Sequence, residues 1–304
     1  MSHSHDHVHS RLLIAIAITA VVCVAEIIGG IIANSLALQA DAGHMLTDVA
    51  ALVLSLLGFL IGKKKANSSK TFGYKRTEIV VALFNGIFLW ILALYFSYEA
   101  ILRFINSETV NGEILFGVAL LGLAANGVTA YILHSHSHDN LNIHGAFLHV
   151  IGDILGSVGA VIAGICIVFW NWTIADPIVS IIISVLIIYS SWNLVRESLH
   201  ILLEGTPKSI NLDEITQKLR TVSGISSVHD LHVWSITSGV YSLSCHVVVR
   251  DISESSNILT QSRELLDHHF KISHATIQIE PIDFDDCHDC ETESLTEAVH
   301  DHHH

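Results

Sequence analysis

Asp41-Ala42-Gly43-His44-Met45-Leu46-Thr47-Asp48 and His149-Val150-Ile151-Gly152-Asp153 each carry His-x-x-x-Asp inside an apolar run. On a helix, residues four apart lie on one face, one turn from each other. Each stretch therefore sends one imidazole and one carboxylate the same way. Two such helices side by side offer two nitrogens and two oxygens, a tetrahedral zinc set. An Asp at the centre of a membrane helix costs about 2.5–3.5 kcal/mol on insertion scales, so an uncompensated pair costs about 5–7 kcal/mol. Polar side chains that merely glue helices together are the plainer reading. The repetition of the motif in a membrane setting favours a metal site made of His44, Asp48, His149 and Asp153.

Composition points the same way. The chain has 304 residues, is 51% hydrophobic and 14% charged, and has a mean hydropathy of +0.53. That balance belongs to a membrane protein. A net charge of −14, with only one basic loop, speaks against nucleic-acid binding. The 22 His point to metal. Among the five Cys, Cys23 and Cys166 lie in apolar runs and read as packing residues, and no disulfide framework suggests itself. The first nine residues, Met-Ser-His-Ser-His-Asp-His-Val-His, lack the basic and apolar regions of a signal peptide.

A helix needs about 20 apolar residues to cross the hydrocarbon core. Six stretches qualify: 12–33, 37–62, 78–103, 112–134, 144–170 and 174–199. Glu26 interrupts the first. The link Asn34-Ser35 is so short that the first two spans are antiparallel neighbours. Lys63, Lys64, Lys65, Lys70, Lys75 and Arg76 form the densest basic cluster, so their loop and both termini are expected in the cytoplasm. Arg196 and Lys208 agree with this orientation, and the loop between spans three and four carries only Arg103. Asn85 and Asn126 are expected to hydrogen-bond between helices. Gly152, Gly156, Ser157, Gly159, Ala160, Ala163 and Gly164 crowd the fifth span and permit close approach, with the second span as the expected partner.

From Glu204 the chain reads as a small soluble domain. Leu212–Val222 is expected to be a helix, capped by Asn211 or Ser209. Val228–Ile236 and Val240–Val249 read as strands joined by Thr237-Ser238-Gly239, Ser253–Phe270 as a helix, and His274–Glu280 as a half-buried strand. The order is αββαβ, a ferredoxin-like or metallochaperone-like unit. The organisation is thus a His-rich tail (1–11), a six-helix transmembrane domain (12–203), an αββαβ metal-binding domain (204–284) and an acidic Cys/His-rich tail (285–304).

Alternation along the strands assigns faces. Tyr241, Leu243, Cys245 and Val247 point one way, with Ser242, Ser244 and His246 opposite. His246, His274 and Glu280 are expected to converge on one polar sheet face, near His229 and His232. Cys287-His288-Asp289-Cys290 adds a Cys-x-x-Cys, read as a zinc ligand pair rather than a redox centre. The tracts His3, His5, His7, His9 and His134, His136, His138, His144 read either as weak metal collectors or as flexible polar linkers.

These residues resemble the cation diffusion facilitators, and in particular bacterial zinc exporters of the ZitB and CzcD type. Ser35-Leu36-Ala37-Leu38, Asp41 to Asp48, Phe72-Gly73-Tyr74, Leu148 to Asp153, Leu202-Leu203-Glu204-Gly205-Thr206-Pro207 and Val228 to Trp234 carry the resemblance. It implies six spans in the bacterial inner membrane, a cytoplasmic αββαβ domain, a homodimer and proton-coupled export of Zn²⁺. By the resemblance, the transport site falls on His44, Asp48, His149 and Asp153. Cytoplasmic sites fall on His229, His246, His274, Glu280, Cys287 and Cys290, and a membrane-to-domain ion pair on Arg76 and Glu204. The extra site that some relatives carry between spans two and three is not expected, because that loop lacks His.

Such an N₂O₂ set suits Zn²⁺ and disfavours octahedral Mg²⁺ or Ca²⁺, and the resemblance adds Cd²⁺ as an expected secondary substrate. Asp41, one turn before His44, is expected to support the ligands. The rivals from other classes are a membrane-embedded zinc hydrolase and a zinc sensor that moves no ions. A hydrolase needs an open coordination position, which two His and two Asp close, and no His-Glu-x-x-His is present. Zinc flux distinguishes transport from both.

Overall fold

The structure is a computed structural model that describes residues 3–62, 64–106, 108–134, 141–237 and 239–283. Six long helices come first: α1 (His3–Ala33), α2 (Leu36–Gly62), α3 (Thr77–Ile105), α4 (Gly112–His134), α5 (Leu141–Trp170) and α6 (Ala175–Leu202). They correspond to the six expected spans, and α1 already begins inside the His-rich tail. Among the described residues, α3, Gly112–Tyr131, Val150–Trp170 and α6 are long and apolar enough to cross a membrane, while Ile18–Ala33 is shorter. Their outward faces carry exposed Phe84, Ile91, Tyr98, Ile162 and Tyr189, as suits helices with lipid as solvent.

Two compact units result. One holds the residues up to Gly58 with Val80–Arg196, and the other holds Phe59–Ile79 with the residues from Glu197 on. In the first unit, small residues decide which helices meet. A Cβ on Gly164 of α5 would lie 2.8 Å from the Phe116 Cα of α4, and one on Gly29 of α1 would lie 2.6 Å from Val118 of α4. Trp90 of α3 stacks on Trp192 of α6 at 5.5 Å, and its Nε1 donates to Ser191 Oγ at 3.0 Å. Among the described residues, α5 thus makes a close backbone approach to α4 in addition to meeting α2, the partner the sequence suggested. Eight residues turn a helix by about 80° beyond two full turns, so Gly156 and Gly164 face different neighbours. Gly156 faces Asp41 of α2, and Gly164 faces α4. Asn126 donates to Ser157 Oγ at 3.4 Å, while Asn85 is buried within α3.

Where α1 turns into α2, the backbone is fixed by polar groups from distant parts of the chain. Asn34 takes the left-handed conformation (φ 51°) that Asn tolerates. Ser35 is the N-cap of α2, its Oγ accepting from Leu38 N at 3.3 Å. Asp176, from the first turn of α6, is fully buried; it accepts from Ser35 Oγ, from Leu36 N at 2.8 Å and from Ala37 N at 3.3 Å. Its carboxylate thus satisfies the free amides and the positive dipole end of α2. Arg103, at the end of α3, donates to Asn34 O at 2.6 Å and to Asn34 Oδ1 at 2.8 Å, and lies 3.2 Å from Glu108 and 3.8 Å from Asp176. Arg103, read from sequence as a loop charge, is a buried structural cation.

The second unit contains α7 (Leu212–Leu219), β1 (Ile225–Thr237), β2 (Val240–Val249), α8 (Ser255–Phe270) and β3 (His274–Pro281). This is the expected αββαβ order. Asn211 is the cap of α7, accepting from Asp213 and Glu214 amides. The sheet order is β1-β2-β3, with β1 antiparallel and β3 parallel to β2. Ile215, Leu219, Ile258 and Leu266 of the helices pack on Leu243, Cys245 and Val247 of β2. The α2–α3 connection belongs to this unit. Asn67 Oδ1 accepts from Ser69 and Lys70 amides, and Asn67 Nδ2 donates to Tyr74 Oη at 3.2 Å. Phe72 meets the His274 ring edge-on at 5.3 Å, and Arg76 Nη2 lies 3.0 Å from Glu204 Oε1. The Arg76–Glu204 pair that the resemblance implied is thus formed. Both partners are well exposed, so it contributes at most about 1 kcal/mol.

Candidate metal centres

Both His-x-x-x-Asp stretches are helical, His44 and Asp48 on α2 and His149 and Asp153 on α5. The four-residue spacing therefore puts each pair on one helix face. The side chains of Asp48 and His149 lie outside the described residues. Asp153 is buried and His44 half-buried. Around them the interior is acidic. Glu26 and Asp41 are also buried, and Glu26, Asp41 and Asp153 lie close enough to interact electrostatically. Glycines make the room: a Cβ at Gly122 would come 2.4 Å from Glu26 Oε1, and one at Gly156 2.7 Å from Asp41 Oδ1. Three buried carboxyls in a membrane interior carry about 7–10 kcal/mol of insertion cost. The sequence reading treated Glu26 only as an interruption. The rule that an ionisable group inside a span is functional by default, applied to Glu26, would have placed it here.

The second centre is built by an irregularity in β1. His229 pairs with His246 and His232 with Ser244, so β1 spends one more residue than β2 across this interval. Asp230, at φ 49°, takes up the extra residue. The bulge returns His229 and His232 to one face, which strict alternation would have separated. His229 Nε2 then lies 3.3 Å from Glu280 Oε2, and His246 Nδ1 2.8 Å from Glu280 Oε1. One ligand atom from each of His229, His246 and Glu280 falls within 4.8 Å of the others, the one such trio among the described residues. Two imidazoles and a carboxylate are a zinc-type donor set that leaves one position open.

Asp230 was missed from sequence. Its Oδ1 is 2.8 Å from His232 Nε2 and its Oδ2 3.6 Å from His246 Nε2, so it orients the imidazoles from behind. Gln278 likewise donates to Glu280 Oε1 at 2.9 Å. His274 requires a correction. It shares the polar face with Glu280 but lies six residues away on β3, about 20 Å along the strand, and it pairs with Ser242. It does not converge with His246 and Glu280. Cys287 and Cys290 lie outside the described residues, as do the side chains of the two His tracts. Burial, aided by the charge of Asp230, pushes the Cys245 thiol up to about 12, so Cys245 supplies no thiolate. Asp230→Asn is expected to weaken zinc at this centre by roughly 10–100-fold, measured by titration calorimetry on the full-length protein in detergent. Unchanged affinity would remove Asp230 from the centre.

Two family models cover this architecture: the cation efflux transmembrane domain matches residues 12–203, and the cation efflux protein cytoplasmic domain matches residues 207–282. The chain belongs to the cation efflux family. A "Cadmium, cobalt and zinc/H(+)-K(+) antiporter" of Bacillus subtilis is 44% identical over 311 residues, covering 100% of both chains. The "Zinc transporter ZitB" of Escherichia coli is 40% identical over 319 residues, again covering 100% of both. The "Metal cation efflux system protein CzcD" of Cupriavidus metallidurans is 39% identical over 282 residues, covering 91% of this chain and 89% of its own. In cation efflux terms, α1–α6 form the transmembrane domain, and α7, β1, β2, α8 and β3 form the cytoplasmic domain.

Proposed function

We propose that this cation efflux protein exports Zn²⁺ from the cytoplasm in exchange for protons, by alternating access through His44, Asp48, His149 and Asp153. The observation that carries the reading is the meeting of α2 and α5, each with one His-x-x-x-Asp face, at the Asp41–Gly156 contact. Charge balance supports the exchange. Zn²⁺ with two carboxylates and two neutral imidazoles is neutral. Without the ion, two negative charges stay in a medium that penalises them, so protons return to the ligands. Zinc must displace those protons again to bind. The names of the relatives, one of which specifies a cadmium, cobalt and zinc/H(+)-K(+) antiporter, support proton exchange.

The rest of the assignment follows the same reading. The protein works as a homodimer in the bacterial inner membrane, with both termini and the Lys-rich loop in the cytoplasm. The domains run 12–203 and 204–284, with tails on either side. His229, His246 and Glu280 hold a cytoplasmic Zn²⁺, and Cys287 with Cys290 offers a thiolate pair on the tail. The test is a proteoliposome assay with an internal pH dye. An imposed pH gradient is expected to drive zinc uptake, with protons moving the other way. Zinc flux indifferent to the gradient would leave a passive carrier, and zinc binding without flux would leave a sensor.

A further inference from the structure

We propose that the α2–α3 loop is a docking surface for anionic phospholipid headgroups, presented by Lys64, Lys65, Lys70 and Lys75. The protein carries a net charge of −14, yet Lys63, Lys64, Lys65, Lys70, Lys75 and Arg76 gather six of its 15 basic residues in one loop. No acidic residue stands between Gly62 and Glu78. Lys64, Lys65, Lys70 and Lys75 are exposed, and among the described residues no carboxylate pairs with them, Arg76 alone being paired with Glu204.

The chain fixes where these charges are. Lys64 is two residues past the end of α2, and Lys75 two residues before the start of α3. Two residues reach at most about 7 Å. That is within a Debye length, about 8 Å at physiological salt, of the ends of two membrane-spanning helices. At that distance a lysine senses the potential of anionic lipids.

Orientation in the membrane asks only for charge, whereas this loop is also folded. Lys64 N donates to Ile61 O at 2.9 Å, and Thr77 N to Tyr74 O at 3.0 Å. Asn67 closes a turn on Ser69 and Lys70, and Gly73 sits at φ 73° with its backbone against that of Lys64. Lys70 Nζ rests 5.8 Å from the Tyr74 ring centre. The lysines are therefore displayed from a held scaffold, and little ordering is required when a headgroup binds. Such a surface has two possible occupants of opposite charge, a lipid headgroup or the acidic segment beyond Asp283. Adjacency to the spans favours the lipid.

The experiment is native mass spectrometry of the full-length protein in mild detergent, titrated with phosphatidylglycerol or phosphatidylcholine. Wild type is expected to hold phosphatidylglycerol roughly tenfold or more tightly than phosphatidylcholine. The preference is expected to vanish in Lys64→Gln/Lys65→Gln/Lys70→Gln/Lys75→Gln and to survive when the same four positions are Arg. It is expected to collapse in wild type as ionic strength rises from about 0.05 M to about 1 M. A preference that persists in the Gln variant, or in wild type at high salt, would overturn the proposal. So would phosphatidylglycerol binding that appears only after deletion of residues 284–304, which would make the acidic tail the occupant.

Discussion

Asp153→Ala is expected to bring zinc flux and proton counter-flux in proteoliposomes to background together, a loss of roughly hundredfold or more. Asp153 is buried among Glu26 and Asp41, and it is the carboxylate of the α5 motif. In the proposed site, removing it takes away one of two anionic ligands, so a bound Zn²⁺ would retain an uncompensated positive charge in a low-dielectric interior. It also takes away a charge whose neutralisation recruits the returning protons, and for this reason the two fluxes fall as one. His149→Ala is expected to do the same. Zinc bound at His229, His246 and Glu280 is expected to be retained, which serves as the check on folding. Proton movement that continued without zinc movement, or zinc movement without protons, would separate the two roles and reject a shared site.

The second large effect is on stability. Asp176→Ala is expected to destabilise the membrane domain by about 3–5 kcal/mol, because it removes one of the two carboxylates facing the buried Arg103 and leaves the Leu36 and Ala37 amides without their acceptor. At roughly 2–4 °C per kcal/mol for a domain of this size, the midpoint of heat-induced loss of the monodisperse species falls by about 6–20 °C. Asp176→Asn keeps an acceptor for the Leu36 and Ala37 amides and loses the charge facing Arg103, so a smaller decrease is expected. Midpoints equal to wild type in both variants would mean that the cap and the pair contribute nothing net.

What sequence could show was set by range. The spans were legible because a bilayer imposes long apolar runs, and the two His-x-x-x-Asp faces because helical periodicity is local. The αββαβ order followed from strand alternation and one helix cap. The remainder depends on partners far apart in sequence or on single-residue exceptions. Asp176 reaches amides 140 residues away, and nothing around it reports that. The Asp230 bulge reverses the alternation used to assign β1, and a left-handed Asp looks like any other Asp in a sequence. His274 shows a third case: a period of two gives the face of a residue and says nothing about its distance along the strand.

The carboxylate of Asp176 also has a place in time. Leu36 is synthesised 140 residues before the group that caps it. At about 5–20 residues per second, that interval is about 7–28 s. Arg103 is made part-way through it, and from then on Arg103 and the first amides of α2 are in or near the membrane while their shared partner does not yet exist. Assembly of this end of the bundle is therefore completed by the last span to leave the ribosome. A nascent chain that stops short of α6 leaves the Leu36 and Ala37 amides without the carboxylate that accepts from them in the finished protein.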